Sequence, residues 1–372
     1  MTDPNQSAAG VSQATVWRQR WGLQSAATLR VRVGELGGSI YLVDGLLPAR
    51  SISLVLGDSG LGKSPLMYQL AICVAAGLPF LGRSTLQARV LMADFENGIG
   101  EVIEMIETIS GYLGLSGPPG EDQLLVWPAS DCSPRYGQSG HTLLDMLGDV
   151  RPHLAIIDSL GSYDPTAEGK NPPANLLLKD FRRLAQEHNT ATVFVHHRRK
   201  LARKSDEQAG PLESAELRRW FQDSRGASAL ITGSDVRLGV DLPGDQVDLA
   251  EALALARTPG TAREETALVL RGFGRVRGEI GPWRLARAYD EDGDPLGYRS
   301  LCSAELLFNP EQQRALAQLG DRFTTGEARA AYRREDQATS DWLNKCARLG
   351  LVRKTGWGRW EKLRDSGGSG ER

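Results

Sequence analysis

Two kinds of segment alternate along the first half of the chain. Short continuous apolar runs, typical of strands buried on both faces, are separated by longer stretches in which apolar residues recur at helical spacing. The runs lie at residues 51–56, 89–94, 124–127, 154–158 and 192–195, and the helical stretches at 65–76, 100–113 and 174–188. A further short strand is predicted at 39–43. This alternation predicts an α/β fold with a mostly parallel sheet flanked by helices.

Beyond residue 235, strand-like runs follow one another without helical stretches between them. They lie at residues 236–242, 252–257, 267–270 and 283–288, with turn sequences such as GTARE and DEDGDP between them. Successive strands joined by turns predict an antiparallel extension of the sheet. The preceding segment, 198–225, is polar and charged, and we interpret it as a loop.

The last block of the chain has a different pattern. Asn309 and Pro310 predict the N-cap and first residue of a helix to about residue 319, and Thr325 predicts the cap of a second helix to about residue 333. A third helix over 340–349 and a hairpin formed by 351–354 and 360–363 follow. The apolar stripe of the third helix consists of Trp342, Leu343, Cys346 and Leu349. Three helices and a hairpin predict a small winged helix-turn-helix domain.

These patterns divide the chain into a disordered tail over 1–15, an α/β domain over 16–300, the winged helix over 305–365 and a flexible tail over 366–372. With 41% hydrophobic and 24% charged residues, the composition is that of a soluble globular protein. No apolar run approaches the ~20 residues of a membrane span, and the polar start lacks the features of a signal peptide. We therefore expect a cytoplasmic protein without membrane contact.

Two further properties narrow the chemistry. The four cysteines are far apart and form neither a zinc motif nor a disulfide framework. The net charge of −2 gives no global attraction to nucleic acid, so any such binding has to come from local patches.

The sequence GDSGLGKS, residues 57–64, matches the phosphate-binding P-loop pattern between a predicted strand and a predicted helix. Glycines let backbone N–H groups surround the phosphates, and the helix N-terminus adds partial positive charge. Lys63 is predicted to reach the β- and γ-phosphates of ATP, and the Ser64 hydroxyl to hold Mg²⁺. The eight predicted nucleotide-binding residues are Gly57, Asp58, Ser59, Gly60, Leu61, Gly62, Lys63 and Ser64.

Carboxylates at strand ends supply the other parts of such a site. HLAIIDS places Asp158 at the end of an apolar strand, as in a Walker B strand that supports Mg²⁺. Ser159 follows it, so the group that activates water has to come from elsewhere. Glu96 in ADFEN, just past a strand expected to adjoin the P-loop strand, is our candidate base, with Asp94 as a substitute and a solvated or helix-capping Glu96 as the alternative.

The next strand ends in His196 and His197, where a side chain would contact the γ-phosphate and relay its presence into the following loop. The alternative is an ordinary buried or exposed histidine. The loop that follows, RRKLARKS, suits DNA phosphates, although a solvated charged loop explains it as well. Its candidate DNA-binding residues are Arg198, Arg199, Lys200, Arg203 and Lys204.

Basic residues also gather on the predicted winged helix. Lys345 and Arg348 lie off the apolar stripe of its third helix, and Arg353 and Lys354 flank the wing. This face suits duplex DNA, while protein docking is the alternative use of such a domain.

In this order and spacing, GDSGLGKS, RVLMADFEN, HLAIIDSLGS, VFVHHRRK and SRGASAL resemble the RepA-like branch of RecA-like ATPases. These are hexameric replicative helicases of plasmids, phages and integrated elements. The resemblance covers residues 40–290, about two thirds of the chain. It implies a RecA-like core that binds ATP and Mg²⁺ through Lys63, Ser64 and Asp158, with Glu96 as base and His197 as sensor.

The resemblance also implies a ring of identical subunits with replication proteins as partners. Single-stranded DNA would pass through a channel lined by the basic loop after His197. Rings of this kind use an arginine from the neighbouring subunit. The candidates are Arg275, Arg277 and Arg225, with Arg237 behind them. An exposed hairpin arginine is the alternative reading of each.

The leading hypothesis is thus a DNA-dependent ATPase motor of mobile-element replication. One rival is a nucleotide-gated DNA-binding regulator or helicase loader, in which ATP controls assembly. A second is a P-loop kinase, for which the sequence gives no sign of an acceptor pocket.

Overall fold

The structure is a computed structural model, and it describes residues 20, 25–35, 41–129, 142–198, 210–222, 228–244, 263–276, 280–291, 294–301, 310–348, 352–356 and 358–362. The chain divides into two units. A core unit comprises residues 1–282 and 287–298, and a C-terminal unit comprises 283–286 and 299–372. Each is described separately below.

The core unit carries the alternating strands and helices that the sequence predicts. The strands are β1 (Tyr41–Val43), β2 (Leu47–Pro48), β3 (Ile52–Gly57), β4 (Val90–Asp94), β5 (Leu124–Pro128), β6 (Leu154–Asp158), β7 (Ala191–His197) and β8 (Val236–Asp241). The helices are α1 (Ala26–Glu35), α2 (Lys63–Ala76), α3 (Ile99–Tyr112), α4 (Thr142–Val150), α5 (Leu160–Tyr163), α6 (Pro165–Gly169), α7 (Asn171–His188), α8 (Leu217–Gln222) and α9 (Ser228–Gly233). Predicted and observed boundaries of the main elements agree to within a few residues.

Three further strands follow and extend the sheet. They are β9 (Arg263–Gly274), β10 (Ile280–Tyr289) and β11 (Pro295–Ser300). The nine-stranded sheet has the order β11-β10-β9-β8-β3-β7-β6-β4-β5. Pairings from β8 to β5 are parallel, whereas β8 and β9 are antiparallel. The predicted mostly parallel sheet with an antiparallel extension is confirmed, but the extension begins at β9, because β8 pairs parallel with β3.

The strand order corrects one expectation that matters for the site. We expected β4 to adjoin the P-loop strand β3, but β7 and β6 lie between them. An apolar run shows that a strand is buried on both faces and carries no information about its neighbours. In β3, for example, Leu54 and Leu56 face the cluster that contains Phe181 and Phe194, while Val55 between them is also fully buried.

Helices account for the other differences in the core unit. The segment 198–225, predicted as a loop, contains α8, which buries Trp220 and Phe221. Only six residues long, α8 is too short to show a helical stripe in a charged sequence. The predicted strand over 252–257 lies outside the described residues. No helix in the described ranges is long and apolar enough to cross a membrane.

The C-terminal unit contains α10 (Pro310–Gln318), β12 (Arg322–Thr324), α11 (Thr325–Tyr332), α12 (Asp336–Arg348), β13 (Val352–Gly356) and β14 (Arg359–Lys362). Its antiparallel sheet has the order β12-β14-β13. Trp342, Leu343 and Cys346 of the predicted stripe are buried in one core with Trp360. Leu349 and the predicted N-cap Asn309 lie outside the described residues.

The cap of α11 is Thr324 and not Thr325. Thr324 Oγ1 accepts a hydrogen bond from the Glu327 N–H at 3.2 Å, and the Glu327 carboxylate accepts one from the Thr324 N–H at 2.7 Å. This reciprocal capping box satisfies two N–H groups at once, which favours the earlier start. Thr325 instead uses its hydroxyl to accept a hydrogen bond from Trp360 Nε1 at 3.0 Å.

Candidate functional site

The predicted phosphate-binding residues form the turn between β3 and α2. Gly60 and Gly62 have φ of 81° and 85°, in the left-handed region that glycine adopts without strain. At Gly57, an added Cβ would lie 2.6 Å from the Val240 carbonyl oxygen. Glycine is therefore required at these three positions for two different reasons, backbone conformation and close packing.

Lys63 is the first residue of α2 and is almost fully buried, at 4% exposure. Its ammonium donates a hydrogen bond to the Asp58 carbonyl oxygen at 2.7 Å. Burial lowers the pKa of Lys63, and the charges of Asp158, Glu96 and Asp58 oppose that shift. A desolvated ammonium of this kind gains most from an anionic ligand.

Asp158 ends β6 with its side chain buried. Its Oδ2 atom has no hydrogen-bond partner within the described part of the chain. Burial raises the pKa of Asp158 to about 7, partly offset by a hydrogen bond with Ser64 and by the charge of Lys63. A carboxylate oxygen that accepts no hydrogen bond, beside a serine hydroxyl, fits the oxygen ligands that Mg²⁺ prefers.

Glu96 reaches this site although β4 is distant from β3 in the sheet. After β4, the chain crosses the end of β6, where the Phe95 N–H donates to the Asp158 carbonyl oxygen at 2.6 Å. Asp94 Oδ1 holds the turn by accepting hydrogen bonds from the N–H groups of Glu96 and Asn97, each at 2.9 Å. Asp94 Oδ2 accepts from the Tyr68 hydroxyl at 2.8 Å. Asp94 is therefore committed to the turn, and Glu96 is the carboxylate that faces the site.

Three donors surround Glu96 Oε1. They are Ser159 Oγ at 2.5 Å, Ser162 Oγ at 3.2 Å and His197 Nε2 at 3.3 Å. The hydrogen bond from His197 is the largest cause that lowers the pKa of Glu96 to about 2, and burial opposes it. With this lowered pKa, the Glu96 carboxylate is charged at neutral pH and can accept a hydrogen bond from water.

The two adjacent histidines have different surroundings, because successive residues of a strand point to opposite faces. His196 is buried, with Nδ1 3.4 Å from Glu168 Oε1. His197 lies between the P-loop and Glu96, with Nδ1 3.2 Å from Ser59 Oγ and 3.5 Å from Lys63 Nζ. Of the pair, His197 is the one whose position suits a sensor of phosphate.

A cavity of about 630 Å³ joins these side chains within the core unit. Its lining includes Lys63, Ser64, Glu96, Asp158 and His197. The sequence reasoning did not identify several other lining residues, which are Asn97, Met105, Arg287, Tyr289, Asp294 and Pro295. It also missed the contact between Ser159 and Glu96, although a serine directly after the strand-end aspartate was a local signal for it.

Two of the arginines proposed to act on a neighbouring subunit's site are described, and both lie away from the cavity of their own chain. Arg275 is exposed and pairs with Asp235 Oδ1 at 3.2 Å. Arg237 donates to the carbonyl oxygens of Ile231 and Thr232. Neither arginine lines the cavity in its own chain. Arg277 and Arg225 lie outside the described residues.

The structure describes the side chains of three predicted DNA-binding residues, Arg198, Arg353 and Lys354. Arg198 stacks over the Trp220 ring at 4.5 Å from its centroid. In the C-terminal unit, Arg353 pairs with Glu361 at 2.7 Å, and Lys354 lies 5.7 Å from the centroid of Trp360. Four of the predicted residues lie outside the described residues, namely Arg199, Lys200, Arg203 and Lys204. Lys345 and Arg348 lie in α12, but their side chains are outside the described part of the structure.

The comparison with protein families finds an AAA domain at residues 39–203, which contain the P-loop, Glu96, Asp158 and His197. The match supports a P-loop ATPase domain. The mostly parallel sheet, of which strands β3 to β7 lie within the matched residues, fits a RecA-like core. Residues 204–372 lie outside the match.

Similarity of the chain to other known proteins is weak. No curated protein matches the chain. Among solved structures, the chain is similar to a KaiC-like protein from the hyperthermophilic archaeon Pyrococcus horikoshii OT3, at 11% identity and a TM-score of 0.40. That alignment covers 70% of this chain and 94% of the archaeal one.

Proposed function

We propose that the protein hydrolyses ATP and couples hydrolysis to movement along DNA, as a RepA-like replicative helicase of a mobile element. The observation that supports hydrolysis best is the position of Glu96, which lines one cavity with the P-loop lysine and Asp158. Nucleotide binding alone requires only the P-loop and Asp158. A charged carboxylate held beside them serves to orient a water molecule.

In the proposed reaction, the backbone of the 57–64 turn and Lys63 bind the phosphates, and Ser64 with Asp158 would hold Mg²⁺. Bound Mg²⁺ supplies charge stabilisation for the transferring phosphoryl group. The Glu96 carboxylate accepts a hydrogen bond from the attacking water and aligns it with the γ-phosphate. Lys63, which bonds to the Asp58 carbonyl oxygen in this structure, would exchange that partner for phosphate oxygens.

His197 would report the state of the nucleotide. Its two ring nitrogens approach the P-loop on one side and Glu96 on the other. A γ-phosphate near Ser59 and Lys63 competes for the same contacts, so gain or loss of phosphate would shift His197 and the chain after it. That chain begins the basic loop proposed to contact single-stranded DNA.

The assembly and the DNA contacts are proposed on the sequence resemblance. By that resemblance the subunits form a homo-oligomeric ring, with a hexamer as the expected size, and an arginine of one subunit completes the site of the next. The helices and antiparallel sheet of the C-terminal unit have the element order of a winged helix, which we propose binds duplex DNA through its basic side chains.

One observation favours a second candidate, a nucleotide-gated regulator or helicase loader. Three donors occupy Glu96 Oε1, which leaves that oxygen little capacity to bind water. If this network persisted with ATP bound, turnover would be slow, and ATP would control assembly more than movement.

Hydrolysis and strand displacement, measured on the full chain with a forked DNA substrate, separate the two candidates. The motor requires that single-stranded DNA stimulate ATP hydrolysis and that strand displacement depend on ATP and disappear in Lys63→Ala. Slow hydrolysis that single-stranded DNA does not change, without displacement, would reject the motor and favour the regulator.

A further inference from the structure

Arg287 is a half-buried cationic group beside the turn of residues 57–64, and the sequence motifs do not include it. It lies near the end of β10, in the part of that strand that belongs to the core unit, and it lines the same cavity as Lys63. Its Nη1 atom is 3.5 Å from the position that a Cβ on Gly62 would occupy. The guanidinium is therefore next to the backbone that precedes Lys63.

The segment 287–298, which joins the end of β10 to β11, is fastened to the P-loop helix. The Gln69 side chain forms two hydrogen bonds with the backbone of Tyr298, from Nε2 to the carbonyl oxygen at 2.6 Å and from the Tyr298 N–H to Oε1 at 2.7 Å. The Tyr298 hydroxyl donates to the Gly62 carbonyl oxygen at 3.2 Å. Burial raises the pKa of Tyr298 to about 12, so this hydroxyl remains a donor. Hydrogen bonds at Gln69 and at Gly62 thus fix the position of the segment relative to the turn.

Two aromatic rings orient the guanidinium. Arg287 Cζ lies 5.4 Å from the ring centroid of Tyr298 and 5.6 Å from that of Tyr289. These cation–π contacts stabilise the positive charge without using its N–H donors. The donors thus stay available to a ligand in the cavity.

Among the residues that the structure describes, Arg287 forms no ion pair. Its Nε atom is buried and has no hydrogen-bond partner among the described residues. Asp294 lines the same cavity, but within the described ranges no ion pair joins it to Arg287. A buried N–H group without an acceptor is unfavourable, and phosphate oxygens are acceptors that the planar donors of a guanidinium fit well.

We propose that Arg287 binds the α- and β-phosphates of the nucleotide held by its own subunit. The proposal rests on nucleotide binding at the 57–64 turn, which is part of the proposed function. In P-loops the backbone cradles the α- and β-phosphates, and Lys63 extends to the β- and γ-phosphates. Because Arg287 lies beside Gly62, it meets the part of the nucleotide shared by ATP and ADP. This role differs from that of an arginine supplied by a neighbouring subunit.

The test is equilibrium binding of Mg·ADP, Mg·ATP and Mg·tripolyphosphate to the full chain, by calorimetry, for wild type and variants. Arg287→Gln is expected to weaken ADP and ATP by the same factor, roughly tenfold to a hundredfold, since it removes charge-assisted hydrogen bonds. Tripolyphosphate, which has neither base nor ribose, is expected to lose affinity too. Arg287→Lys, which keeps the charge, is expected to recover part of the loss.

Arg183→Ala removes an exposed arginine of α7 and controls for the change in net charge. Unchanged ADP affinity in folded Arg287→Gln would overturn the proposal, as would an equal loss in Arg183→Ala. A loss for ATP with none for tripolyphosphate would also overturn it, since Arg287 would then contact base or ribose. Failure of the proposed function looks different, because wild-type protein itself would then bind no Mg·ATP.

Discussion

Glu96→Gln is expected to lower the rate of ATP hydrolysis by about 10²- to 10⁴-fold, the usual contribution of a positioned general base. The affinity for Mg·ATP should stay within a few-fold of wild type, because phosphate binding depends on the turn and on Lys63. Glutamine keeps the shape of the side chain but loses the charge that attracts a water proton. Steady-state phosphate release and nucleotide binding, measured on the same preparation, test both halves of the expectation.

Glu101→Gln is the matched control for this variant. Glu101 lies five residues on, where its carboxylate accepts a hydrogen bond from the Gly98 N–H at 3.1 Å and caps α3. Its replacement should change hydrolysis little. Wild-type turnover in Glu96→Gln would remove Glu96 from the mechanism, and an equal loss in both variants would point to a general effect on the segment before α3.

The second large effect is expected for Lys63→Ala, which should weaken Mg·ATP binding by roughly tenfold to a hundredfold. It should also reduce hydrolysis to background. The ammonium is buried, and its partners among the described residues are the Asp58 carbonyl oxygen at 2.7 Å and His197 Nδ1 at 3.5 Å. Triphosphate oxygens would offer it full negative charge in place of a neutral carbonyl.

Lys179→Ala, at an exposed position of α7, controls for the loss of one positive charge. We expect it to bind and hydrolyse ATP as wild type does. Undiminished nucleotide affinity in Lys63→Ala would show that the triphosphate is bound without the P-loop lysine.

The phosphate turn was predictable because its chemistry is local. Gly60, Gly62, Lys63 and Ser64 lie within a few residues of one another. The apolar patterns on either side predict the flanking strand and helix. The same holds for Asp158 at the end of β6. Each prediction depended on residues that are neighbours in sequence.

Contacts between distant segments were not predictable from the sequence. We expected Glu96 beside the P-loop because β4 was to adjoin β3, and the structure brings it there by another route, across the end of β6. Arg287 was missed for a related reason. It lies in the strand sequence WRLARAYD, which matches no motif, and its role depends on the hydrogen bonds between Tyr298 and the P-loop helix.

The prediction of secondary structure failed where a short element depends on tertiary contacts. The helix α8 is charged, and its position is stabilised by burial of Trp220 and Phe221 against the main core. The strand β11, with the sequence PLGYRS, contains no apolar run, yet Tyr298 within it is buried. In both segments packing outweighs local propensity.

A crystal structure of the full chain with Mg²⁺ and a non-hydrolysable ATP analogue tests the central claim most directly. We expect the terminal phosphates within the turn of residues 57–64, with Lys63 Nζ bonded to phosphate oxygens instead of to Asp58. A well-defined triphosphate bound elsewhere, with Lys63 still on the Asp58 carbonyl oxygen, would contradict the account.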